Sequence, residues 1–140
     1  HVVGDVVTLD VLRDGRTSAF PVAMTERLDA LAGASATVDP RRNLVPRLGI
    51  LAVALDPRVA RLMPAVRGGQ GVVVLSTVRG AIETRDGGLA PGDVIYSVNR
   101  QPVAELAALK AALDAVPAGQ PIVLHLERNG ELMFLAFLSE

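Results

Sequence analysis

Apolar and polar positions alternate at both ends of the chain in the same figure: a run with alternating apolar residues, a two-residue turn, and a second such run. The first copy is GDVVTLDVLRDGRTSAFPVAM at 4–24 and the second GQPIVLHLERNGELMFLAFLS at 119–139, aligned at a constant offset of 115. Gly4 and Gly119, Leu9 and Leu124, Arg13 and Arg128, and Gly15 and Gly130 are identical pairs. Asp14-Gly15 and Asn129-Gly130 accept positive φ at both central positions of a type I′ turn, so each copy predicts a β-hairpin. Two unrelated hairpins would share this alternation. The other reading is a repeating unit of 115 residues, of which the first copy contributes only its last hairpin. On that reading 1–24 is the end of a preceding domain, 25–43 a connector and 44–140 a complete domain. An isolated hairpin is marginal in water, so the first copy must pack on the complete unit, pair with another chain or be poorly ordered.

Between the hairpins the pattern changes repeatedly. Glu26 to Asn43 mixes Ala, Gly, Ser, Asp and Pro40 without a clear period, which predicts a connector with one short helical turn around Arg27 to Leu31. Ile50 to Leu55 is a short apolar run of strand type, and Asp56-Pro57 offers an N-cap with proline at the first helical position, for a helix through Met63. Gly71 to Val78 carries four valines and predicts a buried strand; Gly87-Gly88 marks a turn, and Asp93 to Val98 is the next strand. Leu106, Leu109 and Leu113 fall at spacings of three and four, so Glu105 to Val116 predicts an amphipathic helix. The hairpin from Pro121 to Leu138 closes the unit.

Composition narrows the function. The chain has 140 residues, 50% hydrophobic and 21% charged, as expected of a globular domain with an extension. A net charge of −1, with Lys110 the sole lysine among scattered arginines, gives no basic face for a nucleic acid. Without cysteine there is no disulfide, thiol nucleophile or thiolate metal site, and the redox compartment stays open. The apolar runs at Val72 to Leu75 and Leu132 to Leu138 are far shorter than the ~20 residues that cross a bilayer. A start at His1, without an initiator methionine or signal-peptide pattern, suggests a piece of something longer. Only two histidines are present, and no Gly-x-Ser-x-Gly or Gly-Asn-Ser-Gly-Gly-like segment surrounds Ser18, Ser35, Ser76, Ser97 or Ser139. A serine nucleophile needs a base and an oxyanion hole, so no catalytic residue is expected. No phosphate loop or metal-ligand spacing suggests a cofactor.

Leu89-Ala-Pro-Gly-Asp-Val-Ile-Tyr-Ser-Val-Asn resembles the signature "leucine, two residues, Gly-Asp-x-Ile, x-x-Asn" of bacterial PDZ domains, especially those of HtrA-like serine proteases. Arg47-Leu48-Gly49-Ile50 is similar to the family's carboxylate-binding loop, and Arg128-Asn129-Gly130 lies in a segment like its closing one. These matches run in the family's order over Leu44 to Glu140. The first hairpin resembles the end of another PDZ domain, as in the tandem pairs of Do-type HtrA proteins. Two departures stand out: Arg79 to Gly88 replaces a stretch of small residues, and Arg100 follows the asparagine where glycine is common. The resemblance implies an α+β fold: a PDZ-like, partly open β-barrel or sandwich of five to six strands with two helices, preceded by the hairpin. It also implies a place in the bacterial periplasm or cell envelope, beside a trypsin-like protease domain of the same protein.

A chain terminus needs several hydrogen-bond donors in a small space, which consecutive backbone amides of a tight loop supply. Gly49 permits such a turn, so the amides from Leu48 to Ile50 can converge on a carboxylate while Arg47 attracts it from a distance. The plainer reading is that Leu48-Gly49 opens a strand. Ile50, Leu51 and Ala52 would offer an edge for a ligand strand, and the helix bearing Leu106, Leu109, Lys110 and Leu113 would form the opposite wall. Leu109 and Leu113, with Leu48 and Ile50, would line a pocket for the last ligand side chain, or else serve the core. Asp93 and Asn99 are expected to fix turns, His125 to lie on the surface, and Arg13 and Arg128 to be solvated hairpin positions. The partners implied are protein C-termini or unfolded segments and the neighbouring protease domain. The rival reading is a structural module, with a blocked or paired edge strand, that builds a protease homo-oligomer; a PDZ domain of an intramembrane or tail-specific protease or a secretion protein is a third.

Overall fold

A computed structural model describes residues 6–13, 15–23, 30–63, 66–78 and 87–139. The hairpin pattern holds at both ends. Strands β1 (Val6–Arg13) and β2 (Arg16–Ala23) pair antiparallel as a sheet of their own. β8 (Pro121–Arg128) and β9 (Glu131–Leu138) pair in the same register, each residue displaced by the offset of the sequence repeat. Asn129 and Gly130 both take positive φ, 52° and 85°, as a type I′ turn demands. Phe20 stands at the position equivalent to Leu135, yet Phe20 is 53% exposed and Leu135 is 1% exposed. Leu135 closes onto a core.

Between the hairpins lie β3 (Leu44–Val45), β4 (Ile50–Ala54), β5 (Val72–Thr77), β6 (Val94–Val98) and β7 (Gln101–Pro102). With β8 and β9 they form a seven-stranded antiparallel sheet in the order β3-β4-β5-β6-β8-β9, with β7 pairing off β6. The ends of this path do not meet. The partly open barrel or sandwich of five to six strands expected from the sequence is thus present as an open antiparallel sheet, not a closed barrel, extended by the two-residue strands β3 and β7.

Both expected helices are present. α3 (Pro57–Ala60) begins at Asp56, whose Oδ1 accepts from the amides of Arg58 and Val59 at 2.8 Å. It is shorter than the helix through Met63 that the sequence suggested. α4 (Leu106–Asp114) turns Leu109, Ala112 and Leu113 inward. Two further helices occupy the connector, α1 (Ala30–Thr37) and α2 (Pro40–Asn43), where the mixed composition hid any period. Leu31 is as near as 3.7 Å to where a Cβ on Gly92 would sit, and it shares a buried cluster with Leu55, Val73, Leu75 and Val94. Val72 and Val74 belong instead to the cluster containing Leu109 and Leu113. β5 is thus buried on both faces, which explains an unbroken valine run where a half-solvated strand would alternate.

Candidate functional site

The turn at Arg47 to Ile50 is built by two backbone constraints. Pro46–Leu48 forms one turn of 3-10 helix, and Gly49 ends it in the left-handed region at φ 63° and ψ 40°. The Gly49 amide donates to the carbonyls of Val45 at 3.0 Å and Pro46 at 3.1 Å, while its carbonyl accepts from Val78 N–H at 2.8 Å. Leu48 and Ile50 are fully buried.

Arg47 reaches across to α4. Its guanidinium donates to the carbonyls of Leu113 and Val116, the latter at 3.1 and 3.2 Å, and to the Ser139 hydroxyl. A cation at a helix C-terminus satisfies carbonyls that lack intrahelical partners and opposes the helix dipole. Arg47 is therefore anchored in the molecule. Across from the turn, Leu109 and Leu113 are buried, while Leu106 and Lys110 are half-buried; Leu51 is half-buried and Ala52 fully buried on β4. A cavity of about 220 Å³ separates turn from helix, lined by Val45, Pro46, Arg47, Lys110, Leu113 and Asp114. The structure thus places the turn, β4 and α4 side by side, but β4 is not the edge strand expected from the sequence: it lies between β3 and β5, with Leu44 paired to Leu51 and Val45 to Ile50.

Asp93 fixes its local turn as expected, whereas the Asn99 side chain bonds backbone of β8 more than twenty residues away instead of a nearby amide. The Asp93 carboxylate accepts from Ala90 N–H at 2.8 Å, and Asn99 Oδ1 accepts from Val123 N–H at 2.8 Å. Arg128 departs from the expected solvated position: its guanidinium bonds Asp93 through Nε–Oδ1 and Nη2–Oδ2, both at 2.7 Å, and donates to the Gly88 carbonyl. This pairing holds its pKa up, against partial burial. The side chain of Arg13 and residues 79–86 lie outside the described residues. His125 is half-buried, its ring stacked on Phe134 at 4.8 Å and tilted against Tyr96 at 5.9 Å.

A second polar cluster escaped sequence reasoning. Glu127 is 3% exposed and accepts from the Tyr96 hydroxyl and from Arg67 N–H. Burial, first, and the hydrogen bond to Glu127 push the Tyr96 phenol up to about 12. The Tyr96 ring lies so near the Gly68 backbone that a Cβ there would stand 2.4 Å from Cε1. A glutamate at the end of an alternating strand gives no local sign of burial. The outer face of β8 and β9 is different again: Leu132, Phe134 and Leu138 are 50%, 68% and 67% exposed. An open hollow of about 760 Å³ lies beside Phe134, lined also by Ser97, Asn99, Arg100, Val123 and His125.

Comparison with known proteins agrees with this geometry. The family model described as "PDZ domain" matches residues 46–127, more than half of the chain. A "Probable periplasmic serine endoprotease DegP-like" of Chlamydia trachomatis serovar D is 25% identical over 137 residues, covering 98% of this chain and 25% of its own length. The same description belongs to a protein of Ectopseudomonas mendocina, 29% identical over 137 residues, 96% of this chain and 28% of that one. The chain thus spans about a quarter of the length of these relatives. Among solved structures, the HtrA3 PDZ domain bound to a phage-derived ligand, FGRWV, superposes with a TM-score of 0.55 at 22% identity, over 66% of this chain and 83% of that one. With its turn, open sheet and facing helix so matched, the chain belongs to the PDZ domain family, and its relatives are the DegP and HtrA serine endoproteases.

Proposed function

We propose that this domain captures protein C-termini, or extended segments of unfolded proteins, and delivers them to a serine protease domain of the same polypeptide in the bacterial periplasm. The observation that carries the reading is the juxtaposition of a glycine-ended turn at Leu48 to Ile50, the strand β4 and the apolar face of α4. A ligand carboxylate would lie at the turn, its backbone along Ile50, Leu51 and Ala52, and its last side chain toward Leu109 and Leu113, with Leu106 and Lys110 along the wall. Burying one aliphatic side chain contributes about 1.5–3 kcal/mol, so affinity in the micromolar class is expected once ordering costs are met. Arg47, tied to the end of α4, supports this reading by fixing the distance between helix and turn.

Assembly is the second reading, favoured by the apolar outer face of β9, which is an edge strand. Titration with a hydrophobic C-terminal peptide, as free acid and as amide, separates the two. Capture predicts saturable binding of the free acid and at least tenfold weaker binding of the amide. Equal binding of both rejects carboxylate recognition, and self-association with no binding of either favours assembly.

A further inference from the structure

Resting on that reading, we propose that the groove is held shut by the chain's own residues 43–45, which occupy the lane where a ligand strand would pair, so that capture requires their release. In the sheet order β3 takes the outermost place beside β4, on the side facing α4. Leu44 pairs with Leu51 and Val45 with Ile50, antiparallel, so the segment runs toward the turn as an incoming C-terminus would. Val45 is 1% exposed and shares one buried cluster with Leu48, Ile50, Leu109 and Leu113, the side chains assigned to the ligand's last residue. It fills the pocket from within.

Three bonds hold the segment at its margins. Asn43 Nδ2 donates to the Ala52 carbonyl at 2.9 Å, on the part of β4 beyond the β3 ladder. Lys110 Nζ, from the opposite wall, donates to the Arg42 carbonyl at 2.8 Å. The Gly49 amide, one of the donors offered to a carboxylate, is turned onto the Val45 carbonyl. A two-residue ladder is short, and the cavity of about 220 Å³ beside Val45 leaves room for it to shift. β3 also follows directly from α2, and the connector is seated on the other face of the sheet through Leu31. Movement of the connector would therefore pull on the occluding strand, coupling the groove to whatever precedes it.

The chain contains no cysteine, so a Leu44→Cys, Leu51→Cys pair would give a single disulfide that locks β3 onto β4. The probe is the pentapeptide FGRWV, labelled at its N-terminus, as free acid and amide, with circular dichroism verifying that each form is folded. The reduced pair should bind the free acid at least tenfold more tightly than the oxidised pair, and Asn43→Ala at least threefold more tightly than the unaltered chain. Equal binding by oxidised and reduced forms would overturn occlusion while leaving capture standing. No preference for the free acid in any form would overturn the capture reading, and occlusion with it.

Discussion

Asp93 belongs to the sequence signature and Arg128 to the closing hairpin, and their ion pair joins the two ends of the resemblance through one contact. The Asp93 side chain is 1% exposed and that of Arg128 25%, so neither charge is fully solvated. Removing one partner of such a pair leaves the other desolvated, which costs more than the pair itself contributes. Asp93→Ala is expected to lower the unfolding free energy by about 3 kcal/mol in urea titration. Glu131→Ala, at an exposed hairpin position, should change it by less than about 0.5 kcal/mol. The turn role of Asp93 was legible because its Ala90 amide lies three residues away; the Arg128 contact was not, because its partner lies 35 residues away.

At the scale of elements, legibility followed pattern length. β4, β5, β6, α4 and the last hairpin were readable because each carries several residues of period or an N-cap with a fixed spacing. α1 was not: ALAGASAT has small residues on every side, so no stripe announces the face that Leu31 buries. β3 and β7, at two residues each, are too short to carry any alternation. The segment around Gly68 is pinned to β6 and β8 by Tyr96 and Glu127 instead of by secondary structure. Because the folded phenol titrates at about 12 against an ordinary value of 10.0, folding favours its protonated form. The resulting stability is fully present below pH 10 and is lost as pH rises through 10 toward 12. Tyr96 is the sole tyrosine, so phenolate absorbance reports it alone. The unaltered chain should lose stability across that window, and Tyr96→Phe should lack that component of the fall; identical pH profiles would remove the assigned coupling.

For the whole molecule, the open sheet leaves two margins of opposite character. At one end β3 covers β4 within the turn-and-helix slot; at the other, β9 presents Leu132, Phe134 and Leu138 outward. The residues proposed for the slot were expected from the sequence through family resemblance and backbone chemistry. The pairing of Leu44 and Val45 was not readable, because LVPRLGIL gives no hint that its first two residues fold back on its last two. Which margin receives peptide is the central question, and backbone amide NMR shifts during titration with free-acid FGRWV answer it most directly. Capture at the slot predicts saturable shifts concentrated at residues 43–52 and 106–113, with the Gly49 amide among the largest. Shifts confined to Ser97, His125 and the strand from Glu131 to Leu138, or no saturable shift at all, would contradict it.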